Sequence, residues 1–319
     1  MSLMFNPIPL AVLPAKSNHP RTAPAEIRLT HAAEFLRSAS LSDNTRKAYS
    51  RELKRFIHWT DLNWSELKPC HLSLYKEYLL ESVKLAKPSA NLALAALKSF
   101  FGWLAIAHPE LSPDTPMAGV EFEKLSLPPA QNLKPEEMDR IWAAVEGLGE
   151  TRARDAVLVQ LLRHGLRANE VVELHLGLYD GQILLLDKTK SRKPRLVPLL
   201  KDGRNAIADY LAQREAGGEE LLSGSPMLLS YQPGHQGDRL GYWGVYQVIE
   251  RLGKLSGVKD LYPHRLRHTF ATEILVKGLD PNHAMKLTGH TDAKSFRRYT
   301  LAVEQQAAVD AIYRLYGED

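Results

Sequence analysis

The sequence predicts a two-domain protein, an all-α N-terminal bundle followed by a mixed, mainly helical α/β domain. Three observations carry that reading. A length of 319 residues, 44% of them hydrophobic, suits two cores better than one. Pro109, Pro113, Pro116, Pro128 and Pro129 crowd a stretch without periodicity, which marks a semi-rigid linker. Strand-like runs occur between residues 182 and 199 and briefly at 227–229, whereas helical spacing fills most of the rest. The expected boundaries are a tail over 1–26, a helical domain over 27–111, a linker over 112–132 and a second domain over 133–319.

Residues 1–26 hold Pro7, Pro9, Pro14, Pro20 and Pro24 with little periodicity and predict a flexible tail. The start lacks a basic segment and is broken by prolines, which argues against a signal peptide. No run approaches the ~18 apolar residues of a membrane span. Cys70 is the single cysteine; it excludes an intramolecular disulfide framework, fits a reducing cytoplasm and is read as a structural thiol. A cytoplasmic protein without a membrane partner is the expectation. The net charge is only +4, and a pI of 8.9 permits an anionic partner without demanding one.

In the first domain the clearest helix starts at Asn44. Tyr49, Leu53, Phe56 and Ile57 form its apolar stripe, and Lys47, Arg51, Lys54 and Arg55 line the opposite side with only Glu52 interrupting. Solvated helices usually mix signs, so this strip is expected to face phosphates. Trp59, Trp64, Leu67, Leu72, Leu74, Tyr78, Leu79 and Leu80 continue the core. A helix over 89–104 sets Lys98 beside Phe100, Phe101 and Trp103, aromatics that read as core and not as base-stacking platforms.

The second domain opens with a helix carrying Met138, Ile141, Trp142 and Val145, and a buried-looking helix over 152–163 follows. It ends at His164-Gly165, and Arg167 stands three residues before Glu170. An arginine at such a junction is costly unless an anion meets it. A structural ion pair with Glu170 and a phosphate contact explain it equally well. Two short strands, 182–186 and 195–199, flank a tip that carries Lys188, Lys190, Arg192 and Lys193. Such a tip solubilises, and it would also reach into a nucleic-acid groove. Helices over 204–214 and 241–255 and a short strand at 227–229 complete this part.

Residues 261–300 concentrate cations, imidazoles and a phenol. Pro263 starts a helix with Leu266, Phe270, Ile274 and Leu275 at helical spacing, and His264, Arg267 and His268 share a face. Gly278 stops it, and Asp280-Pro281 begins a short second helix. Gly289 makes a turn before His290, and Thr291 or Asp292 caps a last short helix holding Phe296 and Tyr299. Three readings compete here: a basic helix over a core, a zinc site of His264, His268 and His290, and a phosphate clamp with a tyrosine nucleophile. Arg265 and Arg267 weigh against the metal, and the clamp uses every polar group. Beyond it, Ala308, Ile312, Leu315 and Tyr316 line one side of a short amphipathic terminal helix.

The segments HGLRANEVVEL, KTKSRKPRLVPL, HRLRHTFAT, LTGH and RRYT, in that order, resemble the motifs of the tyrosine recombinases, the phage-integrase family. The resemblance implies a SAM-like helical core-binding domain and a catalytic domain of the DNA breaking-rejoining type. It implies Arg167, Lys190, His264, Arg267, His290 and Tyr299 as catalytic residues, with Glu170 in support. Lys47, Arg51, Lys54, Arg55, Lys98, Lys188, Arg192 and Lys193 are candidate DNA contacts. Two arginines would stabilise the phosphodiester's developing charge, Tyr299 would attack with His264 as base and His290 donating a hydrogen bond, and Lys190 would protonate the leaving 5′ oxygen. The product would be a 3′-phosphotyrosine, with no metal, ATP or other cofactor required. Implied partners are double-stranded recombination sites and further copies of the chain: a monomer free in solution, and a tetramer on two sites joined by a tail over about 303–319. His164, where a Thr is frequent, and Leu301, where a His often follows the tyrosine, depart from the pattern. A type IB topoisomerase-like or telomere-resolving enzyme, and a non-catalytic DNA-binding regulator on the same scaffold, are the alternatives.

Overall fold

The computed structural model describes residues 23–111, 115–126, 130–187 and 194–317. The chain divides into two compact units, 1–126 and 127–319.

The first unit is all helical: α1 (Ala23–Ser38), α2 (Asp43–Trp59), α3 (Pro69–Glu77) and α4 (Lys87–Ala107). Ser42 caps α2 by accepting a hydrogen bond from the Thr45 N–H. The face carrying Leu53, Phe56 and Ile57 is buried as its spacing predicts. Glu52 is buried too, and both Arg51 and Arg55 bend onto its carboxylate. It therefore anchors the cationic strip from beneath instead of interrupting it, and Lys47 and Lys54 stay exposed. Alanines 90, 93 and 96 let α4 approach its neighbours closely, and its Phe100 and Phe101 join Phe56, Trp64 and Tyr75 in one aromatic core. The expectation of no span-length apolar segment is corrected here: α4, 21 residues of mean hydropathy 1.5, is long and apolar enough to cross a membrane by length and composition. In the fold it is the central core helix, which is why it is so apolar. Leu74, expected in the core, is exposed. So is Cys70, beside the Pro69 that starts α3, so it is not a packed structural thiol.

Helix α1 begins at Ala23, four residues before the helical pattern was expected; residues 1–22 of the expected tail lie outside the described residues. Within the stretch read as linker, residues 115–126 pack on the first unit. Met117 and Val120 join its core, Asn91 brackets the Glu123 backbone from both sides, and Lys76 and Lys87 clasp the Glu123 carboxylate.

The second unit contains α5 (Pro135–Glu146), α6 (Arg152–Arg163), α7 (Ala168–Glu173), strands β1 (Ile183–Leu186) and β2 (Arg195–Pro198), α8 (Lys201–Ala216), α9 (Tyr242–Ser256), α10 (Pro263–Val276), α11 (Pro281–Thr288) and α12 (Ala293–Tyr316). The strands pair antiparallel with Leu186 opposite Arg195. Leu184, Leu186, Val197 and Leu199 face the core while Leu185 and Leu196 face out, the period-2 alternation of a half-buried hairpin. Its tip, residues 188–193, lies outside the described residues, and with it the expected contacts Lys188, Lys190, Arg192 and Lys193.

Two expectations fail for local reasons. Residues 227–229 make no strand: the Arg214 guanidinium takes the carbonyls of Pro226 and Met227, so only isolated bridges form there. The two short terminal helices are one helix, α12, because no Gly or Pro occurs between its Asp292 cap and its Gly317 stop, which has φ +69°.

Candidate active site

Glu170 lies in the first turn of α7 and is buried. Arg167 caps that helix; its backbone N–H donates to one carboxylate oxygen at 2.7 Å and its Nη1 to the other at 2.8 Å. Arg195, the first residue of β2, donates through Nη2 at 2.7 Å, and Nη1 of Arg267 stands 3.9 Å away. Three guanidiniums thus converge on one carboxylate, which leaves the cluster two positive charges in excess.

Arg267 is 1% exposed. Its donors go to backbone, to the carbonyls of Gly165 and Thr288. Burial first, then the charge of Arg167, pushes its pKa below the usual arginine value. Two glycines make the geometry possible. Gly165 has φ +82° and a Cβ there would stand 2.8 Å from the Phe270 ring. Gly289 has φ +66°, accepts a hydrogen bond on its carbonyl from Arg167 Nη2 at 2.7 Å, and would set a Cβ 2.7 Å from Arg195 Nη1. Only glycine combines that left-handed backbone with so close an approach.

The histidines divide by partner. His164 donates from Nδ1 to the Gln160 carbonyl and accepts the Leu200 N–H on Nε2, so it splices α6 to the start of α8, and burial lowers its pKa. This accounts structurally for a His at that position. At His290, Nδ1 lies 2.7 Å from the Thr288 hydroxyl, which spends its own proton on the Ala284 carbonyl. The imidazole therefore donates from Nδ1 and keeps its lone pair on Nε2. Burial, then Arg267 and Arg167, holds its pKa down to about 3. His264 is the solvent-exposed member of the set. Loss of hydration and the charges of Arg267 and Arg167 lower its pKa.

Tyr299 is 1% exposed and packs with Phe296, Ala271, Leu275 and Ala284 where α10, α11 and α12 meet. Its hydroxyl lies 2.5 Å from His268 Nδ1. Burial raises the phenol's pKa, and Arg267, Arg298 and Arg167 oppose the rise. His268 is held to about 4 by burial, then by His264, Arg298 and Arg267.

Of the residues singled out from the sequence, Arg167, Glu170, Arg267, His290 and Tyr299 come together here, with His264 alongside His268 at a ring separation of 6.0 Å. Lys190 lies outside the described residues. Arg265 turns away to Glu137. In the first unit Lys98 is exposed and lies 5.9 Å from the Phe122 ring. Sequence reasoning passed over Arg195, Thr288 and the contact made by His268. A signal for Arg195 existed: at period 2 it shares a face with Val197 and Leu199, the buried face of β2. Nδ1 of His268 and Nδ1 of His290 meet the hydroxyls of Tyr299 and Thr288. Among the described residues, the group whose ligand atoms come close enough to share an ion is His31, Glu34 and His108 in the first unit, within 4.8 Å of one another.

In the second unit an arginine cluster of net positive charge, with Arg267 at its buried end, stands beside a buried tyrosine, an arrangement suited to an anion next to a phenol. The phage integrase family model matches residues 131–306, and that of the phage integrase N-terminal SAM-like domain matches residues 29–107. The chain belongs to the phage integrase family. Relatives include a tyrosine recombinase of Pseudothermotoga lettingae, 26% identical over 87% of this chain and 94% of that protein. Another is the tyrosine recombinase XerD of Shewanella oneidensis, 29% identical over 82% and 87%. Among solved structures, the XerH site-specific recombinase on its palindromic difH substrate superposes with a TM-score of 0.70 at 18% identity, over 90% of this chain and 96% of that one. A lambda integrase dimer on a core site gives 0.67 at 17% identity, over 86% and 76%. These likenesses fix the architecture as a SAM-like helical domain followed by a phage-integrase catalytic domain.

Proposed function

We propose that the chain is a site-specific DNA recombinase that cuts and rejoins strands through Tyr299. The observation that carries this reading is the charge excess: three guanidiniums, that of Arg267 fully buried, on one buried carboxylate, beside a tyrosine whose hydroxyl titrates under the influence of two of them. A phosphodiester supplies the missing negative charge, and in the transition state it develops more. Arg167 and Arg267 are the clamp, and Glu170 holds Arg167 in place. Tyr299 attacks phosphorus, the 5′ oxygen leaves with a proton from Lys190, and a 3′-phosphotyrosine remains. The phosphoester energy is kept in that bond, so rejoining requires no ATP. His264 and His290 flank the phosphate as hydrogen-bond donors. For His290 this needs proton uptake on Nε2, which the arriving phosphate's charge favours by offsetting Arg267 and Arg167.

The strip of Lys47, Arg51, Lys54 and Arg55, with Lys98, gives the first unit its phosphate contacts, and the hairpin tip with Lys188, Arg192 and Lys193 adds those of the second. The working form is a tetramer on two duplex sites, acting in the cytoplasm at the nucleoid. Support for assembly comes from the end of α12, where Ile312, Leu315 and Tyr316 are exposed, an apolar face without cover in the single chain. Deleting residues 304–319 is expected to weaken synapsis in a gel assay, and unchanged assembly would sink this role for the tail.

A nicked suicide substrate carrying candidate sites tests the chemistry. Wild type is expected to form a covalent adduct and Tyr299→Phe none. An adduct surviving in the variant would remove Tyr299 from its role.

A further inference from the structure

The inference here rests on the recombinase reading and concerns one proton, for which the family resemblance implies His264 as the base. Tyr299 must lose its hydroxyl proton as Oη bonds to phosphorus. We infer that His268 is the acceptor: it takes the proton from Tyr299 on Nδ1 during cleavage and returns it during rejoining.

Geometry supplies the main argument. Among the described residues, His268 Nδ1, at 2.5 Å, is the hydrogen-bond partner of the Tyr299 hydroxyl. Both side chains are held by packing. Arg267, the preceding residue, is fixed by the carbonyls of Gly165 and Thr288, which sets the backbone of α10 at this point. Tyr299 is fixed by Phe296, Ala271 and Leu275 around it. Proximity of this kind is what general-base catalysis requires first. His290 is the other imidazole in ring contact with Tyr299, at 5.6 Å, and its Nδ1 is engaged by Thr288. His264 stands edge-on to the His268 ring at 6.0 Å and, among the described residues, makes no hydrogen bond to the phenol.

Proton balance follows from the same contacts. Burial, then the neighbouring His264, Arg298 and Arg267, keeps His268 neutral; with Nε2 carrying the ring proton, Nδ1 accepts that of the phenol. In cleavage the Oη–H bond breaks and Nδ1–H forms while Oη bonds to phosphorus and the 5′ oxygen departs protonated. In rejoining the 5′-hydroxyl attacks phosphorus and Oη leaves, recovering its proton from Nδ1. No further reactant is required. The bound phosphodiester also strengthens the base, because its charge offsets the arginine that weakens it in the free protein. The tyrosine is therefore activated only when DNA fills the clamp.

The test is single-turnover cleavage of the suicide substrate by His268→Gln, a side chain that accepts a hydrogen bond but takes no proton. At pH 7 the rate is expected to fall about 100-fold. The deficit should then shrink roughly tenfold per pH unit as solvent ionises the phenol. Placing the more acidic 2,3-difluorotyrosine at position 299 should rescue the variant more than the wild type. A substrate with sulfur at the 5′ bridging position, a good leaving group without protonation, should leave the deficit in place. A wild-type rate, or a deficit of constant size at every pH, overturns the inference. Should His268→Gln fail to hold its fold by melting, 15N-histidine spectra of the wild-type adduct decide: a protonated His268 is expected, and a neutral ring overturns it. Tyr299→Phe keeps the two claims apart. If it still forms the adduct, the recombinase reading fails; if it does not and His268→Gln is unimpaired, only the assignment of His268 fails.

Discussion

Replacing Glu170 by Gln removes the one negative charge shared by Arg167, Arg195 and Arg267, and it turns an acceptor oxygen into a donor that faces arginine N–H groups. Breaking a buried pair by deleting one partner costs about 3–5 kcal/mol, since the remaining charges stay desolvated and unpaired. The catalytic unit, 127–319, falls in a size class where ~1 kcal/mol moves the melting temperature by about 2–4 °C. The expected fall is therefore about 6–20 °C by calorimetry. The control is Glu250→Gln. Its partner Lys254 is also close, at 2.6 Å, but both side chains are largely exposed, so the pair contributes about 0–1 kcal/mol. If the Glu170 variant melts within ~2 °C of wild type, the claim that this carboxylate holds the clamp together by charge is wrong.

Three further outcomes follow from the same geometry. Gly289→Ala puts a methyl group 2.7 Å from Arg195 Nη1 on a backbone at φ +66°, so cleavage should drop at least tenfold while DNA affinity in a gel shift changes little; equal losses in both would point to general unfolding. Because His268 and His290 are held to about 4 and about 3 against an ordinary 6.5, the unfolded chain binds protons that the native one refuses. Stability should thus be full above pH ~6.5 and decline as pH falls toward 4, with a shallower decline in His290→Gln; a flat melting curve over that range contradicts the burial argument. Replacing Lys47 and Lys54 by Ala should weaken DNA binding without sequence preference and reduce the salt slope by about one per lost phosphate contact; an unchanged slope would leave that face as ordinary solvated surface.

How legible this was varied with the range of the interaction. The α2 stripe, the Pro263 start of α10, the Asp280-Pro281 start of α11 and the β1–β2 hairpin were all present as local patterns, because caps, periodicity and turn residues act within a few positions. Glu52 was misplaced, since helical periodicity assigns a side but cannot say that two arginines will fold over a buried carboxylate. The 227–229 strand failed because Arg214, more than ten residues away, captured its carbonyls.

The sequence by itself determined the two-domain division of labour, the resemblance to the tyrosine recombinases and the candidate polar groups, for these depend on residue type and order. Tertiary structure decided who touches whom. Arg167 comes from the cap of one helix, Arg195 from a strand and Arg267 from a helix a hundred residues on, and they meet on Glu170 because α6, α7, the hairpin and α10 enclose one core. It also decided that His268, and not His264, stands at the Tyr299 hydroxyl. Both histidines lie on one helix face in the sequence, and only the packing of α12 against α10 chooses between them.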